Sequence, residues 1–219
     1  MITETIYSTS RSQLLRWIDP SGRRVLDIGC GAGGLGASLL KAGAASVVGI
    51  EPSAAQAELA LSAGYETVVQ SSLEEALGKA ALGSATFDVV ILADVLEHLV
   101  DPWTSLSRVC AIHLTTDGEL LISVPNVAHC SVIWQLVRRR RWRYDEEGIF
   151  DRTHLRWFGL PDILDMIEQS GMCVTSIGGR LRLRFRRRVL SRTVKRRAYI
   201  PSWLFYQYHV VAHRSRVAK

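Results

Sequence analysis

The sequence predicts an α/β protein: a doubly wound, Rossmann-like, seven-stranded and mostly parallel sheet with helices on both faces. Three observations predict it. Short runs rich in Val, Ile and Leu recur over the first 125 residues and alternate with stretches of helical length, the pattern of a sheet covered on both sides. The first run is followed at once by the glycine-rich turn Gly29-Cys30-Gly31-Ala32-Gly33. The 219 residues are 47% apolar and 22% charged, enough for one hydrophobic core, which excludes a disordered or collagen-like chain. Residues 1–219 read as one domain, with a strand–helix half over about 1–125, an insertion after strand 5 at about 127–158, and a basic connection between strands 6 and 7 at about 180–201.

A short amphipathic segment around Leu14, Leu15, Trp17 and Ile18 precedes the first strand, Arg24 to Ile28. The helix after the glycine turn places Leu35, Leu39 and Leu40 on one face and stops at Gly43, a natural residue to follow a helix end. Ser46 to Ile50 reads as the second strand and ends on Glu51, with Pro52 and Ser53 opening the next helix. Tyr65 to Val69, Phe87 to Leu92 and Glu119 to Val124 read as further strands, separated by helices over Leu73 to Ala81 and Pro102 to Leu114. Asp101 and Pro102 supply the cap and first turn of the latter. Beyond residue 125 the rhythm breaks into a helix from about Val127 to Arg141, a polar loop through Gly148, and the segment Thr153 to Phe158. A helix from Pro161 to Ser170 ends at Gly171, and Met172 to Ile177 and Trp203 to Ala212 read as the last strands.

Several function classes are excluded or disfavoured. No run of about 18 apolar residues exists and the first residues lack a signal peptide's basic and apolar regions, so a cytoplasmic protein is expected. Cys30, Cys110, Cys130 and Cys173 form no CxxC pair and read as buried free thiols. The six histidines show neither HxxxH nor HExxH spacing, which leaves a zinc site of the usual kind unsupported.

The chemistry concentrates at Asp27-Ile28-Gly29-Cys30-Gly31-Ala32-Gly33, directly after a strand and before a helix. Glycine suits a backbone that turns sharply and lies against a ligand at a helix N-terminus. Glu51, 22 residues after Gly29 and at the end of the second strand, offers a carboxylate to both ribose hydroxyls of a nucleoside cofactor. A dinucleotide fingerprint, GxGxxG, fits poorly because its register puts Gly34 or Leu35 out of place. Val25-Leu26-Asp27-Ile28-Gly29-Cys30-Gly31-Ala32-Gly33 instead resembles motif I of the class I S-adenosylmethionine-dependent methyltransferases. Phe87 to Leu92 looks like their fourth strand and Leu120 to Pro125 like their fifth. Asp94-Val95-Leu96-Glu97-His98-Leu99 is similar to a segment of the ubiquinone-biosynthesis O-methyltransferase-like branch, and Asp151-Arg152-Thr153-His154-Leu155-Arg156-Trp157-Phe158 to an element of relatives encoded beside glycan-building enzymes.

This resemblance implies S-adenosylmethionine as cofactor. Asp27 and the turn Gly29, Cys30, Gly31 and Gly33 would hold its methionine part, Glu51 its ribose, and Asp94 would lie near the sulfonium. Many relatives bind the adenine amine with an Asp after the third strand; here Gln70-Ser71-Ser72-Leu73 stands at that place. Ser71 or Ser72 is then the substitute, with Leu73 offering a backbone N–H. Transfer to a hydroxyl needs a base, and His98 and His154 are the candidates, both beyond the carboxyl ends of strands; the plain alternative is a hydrogen-bonded structural role. Asp94, Glu97 and His98 form a second candidate group, a donor set for Mg²⁺ or Mn²⁺, against a plain helix-capping or ion-pairing Glu97.

Charge is unevenly distributed. Residues 1–137 hold 7 basic and 14 acidic side chains, and residues 138–219 hold 20 basic and 7 acidic. The excess lies at Arg138 to Arg141, Arg143 and Arg180 through Arg197. Arg180 to Arg186 alternates with strand period, whereas Arg187 to Tyr199 also reads as a basic helix carrying Val189, Leu190 and Val194. An anionic membrane surface, a nucleic acid, an anionic substrate or a solvated face all fit this segment. Trp134, Trp142, Trp157 and Trp203 keep nucleic acid among them. The expectation is therefore a cytoplasmic enzyme that methylates a small-molecule, sugar or lipid-linked acceptor at oxygen, with a peripheral place at the inner membrane surface left open. The alternatives are a nucleic-acid methyltransferase and a cofactor-binding subunit without catalysis.

Overall fold

A computed structural model describes residues 12–183, 186–190 and 201–214. Strand β1 (Arg24–Ile28) leads into helix α1 (Gly34–Lys41), β2 (Ser46–Ile50) into α2 (Ala54–Ser62), β3 (Thr67–Val69) into α3 (Leu73–Gly78), and β4 (Phe87–Ala93) into α4 (Pro102–His113). Strand β5 (Leu114–Pro125) is followed by α5 (Cys130–Arg139), then α6 (Leu160–Gln169), the hairpin β6 (Met172–Leu183) and β7 (Arg186–Leu190), and β8 (Phe205–Arg214). The strands form one sheet in the order β3-β2-β1-β4-β5-β8-β6-β7. Strands β1 to β5 pair in parallel, and β8 runs antiparallel between β5 and β6. The seven expected strands are present, and β7 adds an eighth at the edge by pairing antiparallel with β6.

Strand alternation sends side chains to two cores, which is why the central strands are apolar nearly throughout. Leu26, Ile28, Val90, Leu92, Leu120 and Ile122 face Leu77 of α3, Leu106 and Val109 of α4, and Ile163 and Ile167 of α6. Val25, Val47, Val89, Ile91 and Leu121 face Leu35 and Leu39 of α1, Ala60 of α2, and Leu14 and Ile18 of the N-terminal segment. Truncating a fully buried member such as Leu26 to Ala costs about 2–5 kcal/mol through lost transfer energy and the cavity left behind.

Helix ends follow local chemistry. The Asp101 carboxylate accepts the Thr104 N–H at 3.1 Å with Pro102 in the first turn of α4, as the sequence indicates. Gly43 (φ 97°) follows α1 and Gly171 (φ 76°) follows α6, both in the left-handed region that favours glycine. Pro52 lies outside α2, contrary to expectation: the Glu51 N–H still donates to the Val69 carbonyl in the sheet, and Ser53 is the cap residue. Helix α5 is shorter than expected because the His129 ring nitrogen accepts the Ser131 N–H at 3.2 Å, fixing its start, and Arg140 turns left-handed (φ 51°) at its end. Strand β6 runs on past Gly178 and Gly179, where a Cβ on Gly179 would stand 2.0 Å from the Gln207 carbonyl oxygen. Glycine there serves close backbone approach rather than a stop. The strand reading of the basic segment holds through Leu183 and again over 186–190, which excludes helix at Arg187 to Leu190. The remainder of the proposed basic helix, 191–199, lies outside the described residues. Cys30 and Cys110 are buried, but Cys130 and Cys173 are exposed, so only half of the thiols behave as expected. Among the described residues no helix is long and apolar enough to cross a membrane.

Candidate active site

The glycine-rich turn is anchored to the end of β2. The Gly29 and Cys30 N–H groups donate to the Ile50 carbonyl at 2.8 and 3.2 Å, and the Gly31 N–H donates to a Glu51 carboxylate oxygen at 2.9 Å. Gly29, Gly31 and Gly33 have φ of 68°, 55° and 82°, so a side chain at these positions would be strained. Beneath the turn lies Tyr65. Its hydroxyl donates to the Asp27 carboxylate at 2.5 Å and accepts the Gly36 N–H at 3.0 Å. A Cβ on Gly36 would stand 2.2 Å from this ring and one on Gly33 would stand 3.0 Å from it, so the small residues of α1 are a socket for Tyr65. Burial first, and the Asp27 charge second, push the Tyr65 phenol far above its ordinary value and keep it protonated. Asp27 is 0% exposed and therefore braces the turn from below rather than from its open side.

Glu51 is almost fully buried, and its second oxygen accepts the Ser53 N–H at 3.0 Å, tying β2 to the start of α2. Of the two serines, Ser72 is occupied: its hydroxyl accepts the Glu75 N–H at 3.2 Å as the cap of α3. The Ser71 hydroxyl oxygen is enclosed without a hydrogen-bond partner. The Leu73 side chain belongs to the core. An orphaned hydroxyl, a buried carboxylate at the end of β2 and a glycine turn with no Cβ form a cradle that fits a nucleoside cofactor.

At the end of β4, Asp94 adopts φ 57°, unusual for a residue with a side chain. Its N–H donates to the Ser123 carbonyl at 3.0 Å, and its carboxylate accepts the Ser123 hydroxyl at 2.9 Å and the Gln207 amide at 2.5 Å. Both of these side-chain bonds end on one Asp94 carboxylate oxygen, and Asp94 is not among the clustered residues that could hold a metal ion. The structure instead gathers Glu97, His98 and His154, whose candidate ligand atoms all lie within 4.8 Å of one another.

Two histidines 56 positions apart in sequence thus meet, with ring centroids 4.8 Å apart. Backbone pairing brings them together: the Leu155 and Arg156 N–H groups donate to the Glu97 carbonyl at 2.8 and 3.0 Å. Asp151 fixes the loop by accepting the Thr153 N–H at 2.8 Å and the Thr153 hydroxyl at 2.7 Å, and that hydroxyl lies 3.3 Å from His98 Nδ1. Burial opposes the Asp151 charge, but these Thr153 bonds outweigh it and hold the carboxyl below its usual range. His154 is buried, whereas His98 is exposed. Burial first, then the adjacent His98, pushes the His154 imidazole below its ordinary value, against the pull of Asp151. A neutral imidazole beside the segment that follows β4 is equipped to accept a proton.

Sequence reading missed Tyr65, Ser123 and Gln207. A signal for Ser72 was present, because Ser72-Leu73-Glu74-Glu75 matches a capping box. Tyr65 carries a weaker one, an aromatic residue following Gly64 and destined for a neighbourhood of glycines and alanines.

Residues 4–177 match the family model described as a methyltransferase domain. The chain is similar to the ubiquinone biosynthesis O-methyltransferase of Vibrio campbellii, with 33% identity over 163 residues covering 72% of this chain and 67% of the relative. It is also similar to that of Cupriavidus pinatubonensis, with 31% identity over 173 residues covering 72% and 68%. Among solved structures, an S-adenosylmethionine-dependent methyltransferase from Thermotoga maritima superimposes with TM-score 0.68 at 17% identity, covering 95% of this chain and 89% of that one. Magnesium protoporphyrin IX methyltransferase from Synechocystis with bound S-adenosylhomocysteine gives 0.65 at 18%, covering 95% and 84%. At those identities the structural likeness speaks for the fold.

Proposed function

The chain belongs to the S-adenosylmethionine-dependent methyltransferases, and we propose that it methylates an oxygen of a small-molecule, sugar or lipid-linked acceptor. The observation that carries this reading is the His98–His154 pair beside buried Glu97, with His154 held in its neutral form. The names of the curated relatives, which are O-methyltransferases, support oxygen as the acceptor atom.

S-adenosylmethionine supplies an electrophilic methyl group when bound. The turn Gly29, Cys30, Gly31 and Gly33 would hold its methionine portion while Asp27 and Tyr65 fix the turn from below. Glu51 would accept the ribose hydroxyls, Ser71 would accept from the adenine amine, and the Leu73 N–H would serve the adenine side. Asp94, oriented by Ser123 and Gln207, would serve the sulfonium side. His154 accepts the acceptor's hydroxyl proton at a ring nitrogen, and His98, steadied by Thr153, positions it. Positioning supplies most of the acceleration in such a displacement, because the oxygen and methyl carbon must align within roughly 3–3.5 Å.

The test is methyl transfer from labelled S-adenosylmethionine to phenols, sugars and polyprenyl-linked sugars, with oligonucleotides as comparators. His154→Asn is expected to lower kcat by about 100-fold or more while leaving S-adenosylhomocysteine affinity unchanged. Turnover equal to the parent's would remove His154 as base, transfer confined to oligonucleotides would replace the acceptor class, and absence of turnover with every acceptor would favour a non-catalytic subunit. The grouping of Glu97, His98 and His154 supports a second reading, in which they hold a divalent cation. Two imidazoles and a carboxylate suit Mn²⁺ better than Mg²⁺, and the ion would polarise the acceptor hydroxyl. Unchanged turnover after exhaustive chelation removes that reading.

A further inference from the structure

Helix α5 buries Val132 and presents Ile133, Trp134, Leu136 and Val137 to the outside, with Val137 75% exposed. An open groove of about 730 Å³ is lined by Ile133, Trp134, Val137 and Trp203, with Arg138 and Arg140 among its walls. From Asn126 to Tyr144 the chain carries five arginines, at 138–141 and 143, and no carboxylate. Arg139 lies over the Trp134 ring at 5.2 Å, so aromatic and charge are displayed together. Large apolar side chains left outside in this density mark a surface that is covered in use.

We propose that α5 and the adjoining Trp203 form a docking surface for an anionic lipid bilayer. The helix has ten residues, about 15 Å of length, which suits lying in the interface plane and is too short to span. Tryptophan favours the boundary between water and hydrocarbon, and Trp134 and Trp203 are both half exposed. The arginine cluster answers the negative charge of lipid headgroups, each side chain laying its apolar stem on the membrane and its guanidinium among phosphates. A second copy of the chain fits less well, since a two-fold interface would bring five arginines against five. A nucleic acid would use the arginines and Trp134, but Ile133, Leu136 and Val137 offer nothing to phosphates or base edges.

The location matters for the site. Helix α5 begins five residues after β5, whose carboxyl end lies two residues beyond the Ser123 that holds Asp94. After the helix, Trp142 packs against Phe150 and Trp157 with ring centroids 4.8 and 5.4 Å apart, on the segment that carries His154. Docking through α5 therefore sets the candidate active site beside the bilayer. This conclusion stands independently of the acceptor's identity. It also shifts the membrane contact from Arg180–Arg197, where charge alone suggested it, to a face that combines charge with apolar surface.

Vesicle sedimentation of the full chain tests it, comparing phosphatidylcholine alone with phosphatidylcholine containing 30 mol% phosphatidylglycerol. Partitioning to the anionic vesicles is expected to be about tenfold stronger or more, with a blue shift of tryptophan emission. Trp134→Ser with Val137→Ser should weaken it by about tenfold or more while calorimetric S-adenosylhomocysteine binding, which reports an intact fold, is retained. Arg138→Glu with Arg139→Glu should do the same. Equal partitioning to both vesicle types, or none to either, overturns the proposal. So does retention of binding by the α5 variants together with its loss on replacing Arg192, Arg196 and Arg197 by Ser. A concentration-dependent dimer dispersed by the α5 variants, without vesicle binding, assigns the face to a second copy instead; oligonucleotide binding lost in those variants, again without vesicle binding, assigns it to nucleic acid.

Discussion

Tyr65→Phe removes one oxygen and should loosen the cofactor turn from below. The ring stays, so the socket formed by Gly33, Gly36 and Gly49 remains filled and no cavity forms. Two hydrogen bonds disappear, the one donated to the Asp27 carboxylate and the one accepted from the Gly36 N–H in the first turn of α1. A bond to a charged group contributes about 1.5–3 kcal/mol and a neutral one about 1 kcal/mol, so the loss is roughly 2.5–4 kcal/mol. Water does not make it good, because Asp27 is fully buried. With a urea slope of about 2–3 kcal/mol per molar, the unfolding midpoint falls by about 1–2 M at unchanged slope. Affinity for S-adenosylhomocysteine should fall as well, although Tyr65 lies beneath the turn. Tyr144→Phe, at an exposed ring, is the control and should shift stability by less than about 0.5 kcal/mol. A Tyr65→Phe midpoint within about 0.2 M of the parent, with parental ligand affinity, would refute the role given to this residue.

Glu51→Ala should weaken S-adenosylhomocysteine binding by at least about tenfold in calorimetry, because the turn loses its Gly31 tie together with the ribose contact, whereas exposed Glu58→Ala should not; equal losses would sink the assignment. Because burial and His98 depress the His154 pKa, the acidic limb of the kcat/KM profile should have its midpoint below 6.5. His98→Ala should raise that midpoint by removing a neighbouring charge, and a midpoint indifferent to His98 would speak against His154 as the base. His209 is buried against Trp17, and burial, helped by Arg180 and opposed by Asp94, lowers its pKa from 6.5 to about 4. The folded state resists protonation that the unfolded chain accepts, so stability present at pH 7 is lost as pH falls from 6.5 towards 4, by about 3 kcal/mol. Urea midpoints at pH 7 and 4.5 should show a smaller drop for His209→Leu than for the parent, and identical drops would refute this.

The parts of the fold legible in the sequence are those specified by local chemistry. Arg24–Ile28 and Ser46–Ile50 have the expected limits because each is an apolar run ended by a turn residue or a carboxylate. The extended start of β5 was not legible: Leu114, read as the end of a helix, pairs with Phe87 across a register shift. Gly178 and Gly179 likewise read as a strand end. The reason for glycine at 179 lies in Gln207, a residue on another strand, and no spacing within β6 announces it.

The candidate site divides along the same line. The turn, Glu51 and the two histidines carry their chemistry in short motifs; the structure sets the turn, Glu51 and His98 after strands β1, β2 and β4 and brings His154, on a loop, against Glu97. Their supports come from afar: Tyr65 reaches Asp27 from 38 residues away, and Gln207 reaches Asp94 from 113. Such supports decide which of several motif residues face the ligand. Asp27, read from its motif as a ligand contact, has one carboxylate oxygen bonded by Tyr65; the Ser72 hydroxyl caps α3, whereas the Ser71 hydroxyl has no such role. Asp94, read as one of three cation ligands, has one carboxylate oxygen engaged by Ser123 and Gln207, while Glu97 and His98 cluster with His154. A buried carboxylate or hydroxyl is drawn to the partner that compensates its desolvation. The distribution of those partners, more than the motif itself, therefore sets which side chains remain available for chemistry.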